Sequence, residues 1–127
     1  MITLGIAAAV LAVCAVLRHA LERRRAGEWG AVRFHPLWNR GAAFGAPIGR
    51  RALLALSGLA LPLIWLVRRR SPLGAGLLLG GGLSNLWERL RHGRVFDYVQ
   101  FPHVPGPWKR FVFNLADFAI FAGVLAL

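Results

Sequence analysis

Apolar positions in this chain do not follow the regular alternation of a soluble amphipathic element; they come in blocks. Four blocks approach the roughly 20 apolar residues that carry a helix across a bilayer. They are ITLGIAAAVLAVCAVLRHAL at 2–21, RALLALSGLALPLIWLV at 51–67, SPLGAGLLLGGGLSNLWERL at 71–90 and FVFNLADFAIFAGVLAL at 111–127. Residues 22–50 form the longest connection. Within it, EWGAVRFHPLWNRGAAFGAPIGR mixes β-formers, aromatics, Gly and Pro, which predicts short strands and turns over 28–48. Trp29, Phe34, Trp38 and Phe44 there suit a membrane headgroup region. Arg68–Arg70 with Ser71 and Pro72 reads as a tight turn, and residues 91–110, with three prolines, read as loop. The pattern therefore predicts an all-α membrane protein of four transmembrane helices with a small β-rich segment, in one domain over 1–127. An even number of spans puts both ends of the chain on one side and both long connections on the other.

The first block lacks the basic n-region and small-residue cleavage site of a secretory signal, and Arg18 and Arg23–Arg25 follow it, so a retained helix is expected. The GGG at 80–82 sits inside the third block, where glycine allows close helix packing. No Walker or dinucleotide pattern surrounds it.

Charge changes the picture in two ways. The net charge is +11, with 16 Lys and Arg against five Asp and Glu. The basic residues flank apolar blocks, so anionic phospholipid headgroups are the expected partner and nucleic acid is not. Residues 18–51 carry eight Arg and the 68–70 turn carries three. A positive-inside count would place the long connections in the cytoplasm. The second consequence is that acids are scarce, yet Asp97 interrupts VFDYVQF and Asp117 lies inside the fourth block. An ionisable group in a membrane span usually faces a protein interior or a watery cavity. Taken singly, Asp117 is equally well a structural partner for an arginine.

Asn114 and Asp117 stand three apart, as do Asn85 and Glu88, with Arg89 next, so each set shares a helix face. Asp97 in the connection before the fourth helix and Asp117 about two turns into it are placed to meet at the membrane surface. Two adjacent carboxylates do not easily both ionise: one holds a proton while the other stays charged. The charged one takes a proton from water and the protonated one polarises an amide carbonyl. That is aspartic protease chemistry and needs neither a metal nor a nucleophilic side chain. Other chemistries have less support. His19, His35, His92 and His103 lack metal-site spacing, Ser57, Ser71 and Ser84 lack a GxSxG context, and the single cysteine, Cys14, lies mid-helix.

NRGAAFG at 39–45, GGGLSNLWERLRHGRVFDYVQF at 80–101 and FNLADFAIFAGV at 113–124 resemble, in order and spacing, the signature blocks of the signal peptidase II family. The resemblance spans about two thirds of the chain, from Asn39 onward. It implies a four-helix aspartic endopeptidase of the bacterial cytoplasmic membrane, without cofactor, that removes signal peptides from diacylglyceryl-modified prolipoproteins and is blocked by globomycin. It implies that Asp97 and Asp117 are catalytic. It assigns Asn39, Gly41, Asn85, Arg89 and Asn114 to substrate binding, Glu88 to support, and the long connections to the extracytoplasmic side. Three features depart from the family pattern: Glu88 stands where Asp is usual, Ser84 where Gly is common, and Arg18 and Glu22 where the first helix usually carries an acid and a lysine. An i,i+4 pair with its charges exchanged still meets. The departures define the alternative, a non-catalytic family member that binds lipoprotein or acts as a scaffold. Retention of both aspartates favours the enzyme.

Overall fold

The computed structural model describes residues 1–40 and 48–127. In chain order the elements are α1 (Ile2–Leu21), β1 (Gly27–Trp29), β2 (Val32–Asn39), α2 (Arg50–Leu66), α3 (Pro72–His92), β3 (Val95–Gln100), a short 3-10 turn (Gly106–Arg110), β4 (Val112–Phe113) and α4 (Leu115–Ala126).

α3 is the central helix, and its glycines explain why. Successive residues on a helix turn by about 100°, so three consecutive glycines open three faces. A Cβ on Gly80 would lie 2.6 Å from Val10 of α1, one on Gly81 2.6 Å from the Ala116 carbonyl oxygen of α4, and one on Gly82 3.3 Å from Leu61 of α2. The GGG run is the point where three helices close onto a fourth. Ser71 caps α3 by accepting from the Gly74 N–H, and Gly93 ends it in the left-handed conformation, φ 72°, that suits glycine.

The strands form one antiparallel sheet in the order β1-β2-β3-β4. The β1–β2 hairpin turns at Gly30 and Ala31, where Gly30 has φ 62°. The sheet is built from both long connections. Residues 95–100, expected as loop, form its third strand, because Val95, Phe96 and Tyr98 bury against the helix ends. Phe34 is also not an interfacial anchor: it is 1% exposed and packs with Leu21, Phe96 and Tyr98 in a core beneath the sheet. Trp29 stacks on it at 5.1 Å between ring centroids. Phe44 lies outside the described residues.

Both chain ends lie opposite the sheet. The Thr3 hydroxyl donates to the Pro72 carbonyl, and the Ser71 hydroxyl donates to the Ala126 carbonyl at 2.6 Å, tying the start of α1, the start of α3 and the end of α4 together. The fourth apolar block is not helical from 111. Its first residues form β4, Asn114 is a cap, and α4 is 12 residues long. α1 is the one helix of the described residues that is by itself both long and apolar enough to cross a membrane.

Candidate active site

Where α3, α4, β2 and β3 meet, five polar side chains converge. Asn114 is the N-cap of α4 and Asp117 is its third residue. The Asn114 Oδ1 accepts from the Asp117 N–H at 3.0 Å, and the Asp117 Oδ2 accepts from the Asn114 N–H at 2.9 Å. This reciprocal capping box satisfies two N–H groups that a helix start otherwise leaves unpaired. It also corrects the depth expected for Asp117, which stands in the first turn of α4 rather than two turns in. At the positive end of a helix a carboxylate is favoured.

The Asn114 amide then reaches across the site. Its Nδ2 donates to Asp97 Oδ1 at 2.9 Å and to Asn85 Oδ1 at 3.1 Å, with the Phe96 carbonyl at 3.4 Å. Asn85, on α3, donates from Nδ2 to Asp117 Oδ1 at 3.2 Å. Asn39, at the end of β2, donates to Asp97 Oδ2 at 3.1 Å. That contact follows from register: Leu37 pairs with Asp97, and Asn39, two residues on, points to the same face of the sheet. All four carboxylate oxygens of Asp97 and Asp117 thus accept from amide N–H groups, and Asn114 binds both acids at once.

Asp97 is 4% exposed. Burial pushes its carboxyl up to about 7, and the charge of Asp117 adds to the rise, while the Asn39 and Asn114 hydrogen bonds and the Arg89 charge oppose it. At neutral pH this acid is poised between its two forms. Arg89 lines the same cavity, of about 210 Å³, with Asn39, Asn85, Asp97 and Asp117. The rest of the wall is mostly apolar: Leu53 from α2, Val95, Val112, Phe113, Ile120 and Phe121. The arrangement offers one carboxylate to activate water and one carboxylic acid to polarise a carbonyl, beside a pocket for apolar groups. Among the described residues no group of three or more His, Cys, Asp or Glu side chains is arranged to hold a metal ion.

Of the residues singled out from the sequence, Asp97, Asp117, Asn39, Asn85, Arg89 and Asn114 come together here, and Gly41 lies outside the described residues. Glu88 does not enter the cavity. It faces α1, where its Oε1 meets Arg18 Nε at 3.1 Å, and its Oε2 accepts from the Phe96 N–H at 2.9 Å. The exchanged pair of α1 does meet, Arg18 Nη1 lying 3.4 Å from Glu22 Oε2. Tyr98, which the sequence does not single out, also supports the site. Its hydroxyl accepts from the Leu115 N–H at 3.0 Å, and so anchors the first turn of α4 to β3. It is the one tyrosine of the chain and directly follows Asp97 in β3.

The profile of the family described as signal peptidase (SPase) II matches residues 2–127. A lipoprotein signal peptidase of Nitrobacter hamburgensis is 42% identical over 120 residues, covering 80% of this chain and 73% of that protein. One from Rhodopseudomonas palustris strain TIE-1 is 34% identical over 148 residues, covering 99% of this chain and 90% of the other. One from Methylorubrum extorquens is 42% identical over 107 residues, and the match spans 60% of its length. Among solved structures, a bacterial membrane enzyme determined by the in meso method at 2.3 Å resolution superposes with a TM-score of 0.83 at 20% identity, covering 98% of this chain and 83% of that one. That likeness is one of fold.

Proposed function

The chain belongs to the signal peptidase II family, and we propose that Asp97 and Asp117 are the catalytic pair with which it cuts the signal peptide from diacylglyceryl-modified prolipoproteins. The observation that carries this is the double engagement of Asn114, which holds Asp97 through its amide and Asp117 through the capping box. One carboxylate removes a proton from water as the oxygen attacks the scissile carbonyl. The partner donates its proton to the carbonyl oxygen as the tetrahedral intermediate forms. Asn39, Asn85, Asn114 and Arg89 orient the pair and bind the peptide backbone, and Gly41 belongs to the same substrate-binding set. The apolar wall of Leu53, Phe113, Ile120 and Phe121 suits the lipid carried by the substrate cysteine.

The chain acts as one peptidase domain, a multi-pass protein of the bacterial cytoplasmic membrane with all four helices in the bilayer and the sheet on the extracytoplasmic face. Outward-facing apolar residues support this: Leu56, Leu59, Leu63 and Leu66 on α2, Leu73 and Leu90 on α3, and Phe121, Val124 and Leu125 on α4 are exposed. Arginines at the sheet end contact anionic phospholipid, and a globomycin-type cyclic peptide occupies the cavity as inhibitor. The altered first-helix pair, the motive for a non-catalytic scaffold, does not separate the acids, because Arg18 keeps both Glu22 and Glu88.

The test uses purified protein in detergent with two forms of one prolipoprotein, with and without diacylglycerol on its cysteine. Release of the signal peptide from the lipidated form alone, stopped by globomycin, is expected. Binding of the lipidated form without release would establish the scaffold reading.

A further inference from the structure

β4 pairs with β3 only at Val99 and Gln100. Upstream, the Phe96 backbone faces away from β2 with no strand of the described residues beside it, and a buried N–H left unpaired is costly. Two side chains take the place of the missing strand. The Phe96 N–H donates to Glu88 Oε2 at 2.9 Å, and its carbonyl faces Asn114 Nδ2 at 3.4 Å. Glu88 is 7% exposed, and a carboxylate so placed requires a counter-charge. Arg18 supplies it at 3.1 Å, and is itself steadied by Glu22. A continuous polar link therefore runs from α1 through α3 to the residue before Asp97.

We propose that Arg18 and Glu88 are positioning residues for cleavage: their ion pair holds Phe96, and with it Asp97, in register with Asn114 and Asp117. This rests on the reading of Asp97 and Asp117 as the catalytic pair. Neither Arg18 nor Glu88 touches the cavity, so they act on the rate and not on substrate affinity. A displacement of about 1 Å at a reacting group costs up to roughly 100-fold in rate.

The experiment compares wild type, R18K, R18M and R18M/E88Q in detergent. It measures kcat and KM on a lipidated prolipoprotein, and deuterium exchange of the peptide containing residues 95–100. R18M strands the Glu88 carboxylate; kcat should fall about 10- to 100-fold at little-changed KM, and exchange over 95–100 should rise. R18K keeps the cation and should stay within a few-fold of wild type. The double variant has no stranded charge and keeps an amide oxygen for the Phe96 N–H, so it should recover both rate and protection. Wild-type kcat in R18M, or a double variant no better than R18M, would overturn the proposal. If wild type itself does not cleave, the functional reading fails and exchange alone decides the link. Protection lost in R18M and regained in the double variant supports it, and unchanged protection removes it.

Discussion

Asn114 does two separable things, and replacing it by serine or alanine separates them. As N-cap it accepts from the Asp117 N–H; as an amide it donates to Asp97 and Asn85. Serine is as good a cap as asparagine but supplies no such amide donor, whereas alanine supplies neither. Loss of the cap costs about 1 kcal/mol. Loss of a buried hydrogen bond to a carboxylate costs about 1.5–3 kcal/mol. N114A should therefore lose about 2.5–4 kcal/mol of stability, and N114S about 1 kcal/mol less than N114A, the difference being the cap. Cleavage should not follow that order. Both variants lose the side-chain donor to Asp97 and Asn85, so both should fall at least about 100-fold in kcat, the usual cost of one preorganised donor at a reacting centre. Denaturant unfolding in detergent reads the first quantity and single-turnover cleavage the second. An N114S protein that cleaves at the wild-type rate would refute the argument, because the amide would then be capping a helix and nothing more.

Other perturbations reach different parts of the account. Asp97 has a folded-state value near 7 against an ordinary 3.8, so the folded protein binds this proton more tightly than the unfolded chain. Its stabilising contribution is complete below about pH 4 and is lost as pH rises through 7; D97N should flatten the pH dependence of the melting temperature across that window. Cleavage that needs the shared proton should decline on the alkaline side of about pH 7, read from a kcat profile. G81V would drive a side chain into the Ala116 carbonyl, so α4 must move; a loss of about 1–3 kcal/mol is expected by denaturant titration, together with lost cleavage. Y98F removes the acceptor of the Leu115 N–H and should cost about 1–3 kcal/mol with the fold intact, measured the same way.

The chain's pattern announces some of this architecture and conceals the rest for identifiable reasons. α1 is legible to the residue, 2–21, because its apolar run is unbroken from Leu4 to Leu17. α4 is not, because Val112 and Phe113 are as apolar as a helix but pair with β3 before Asn114 opens the helix. The Asn114–Asp117 spacing carries the signature of a capping box, yet within an apolar block it also fits two residues on one helical face. β3 is not legible, since strand pairing is decided by residues far away, here Arg33–Asn39 of β2. Asp97 and Asp117 stand out in the sequence because acids are so scarce in this chain that each demands a reason. The Arg18–Glu88 link does not, as 70 positions of sequence separate partners that only the glycine-mediated approach of α1 to α3 brings together.

The central claim is that Asp97 and Asp117 together perform the cut. Its most direct test is cleavage of a lipidated prolipoprotein by D97N and D117N, each first shown to be folded by its circular dichroism and melting in detergent. The account predicts that each folded variant binds the substrate and releases no signal peptide. Cleavage by either variant at a rate near that of wild type would contradict it.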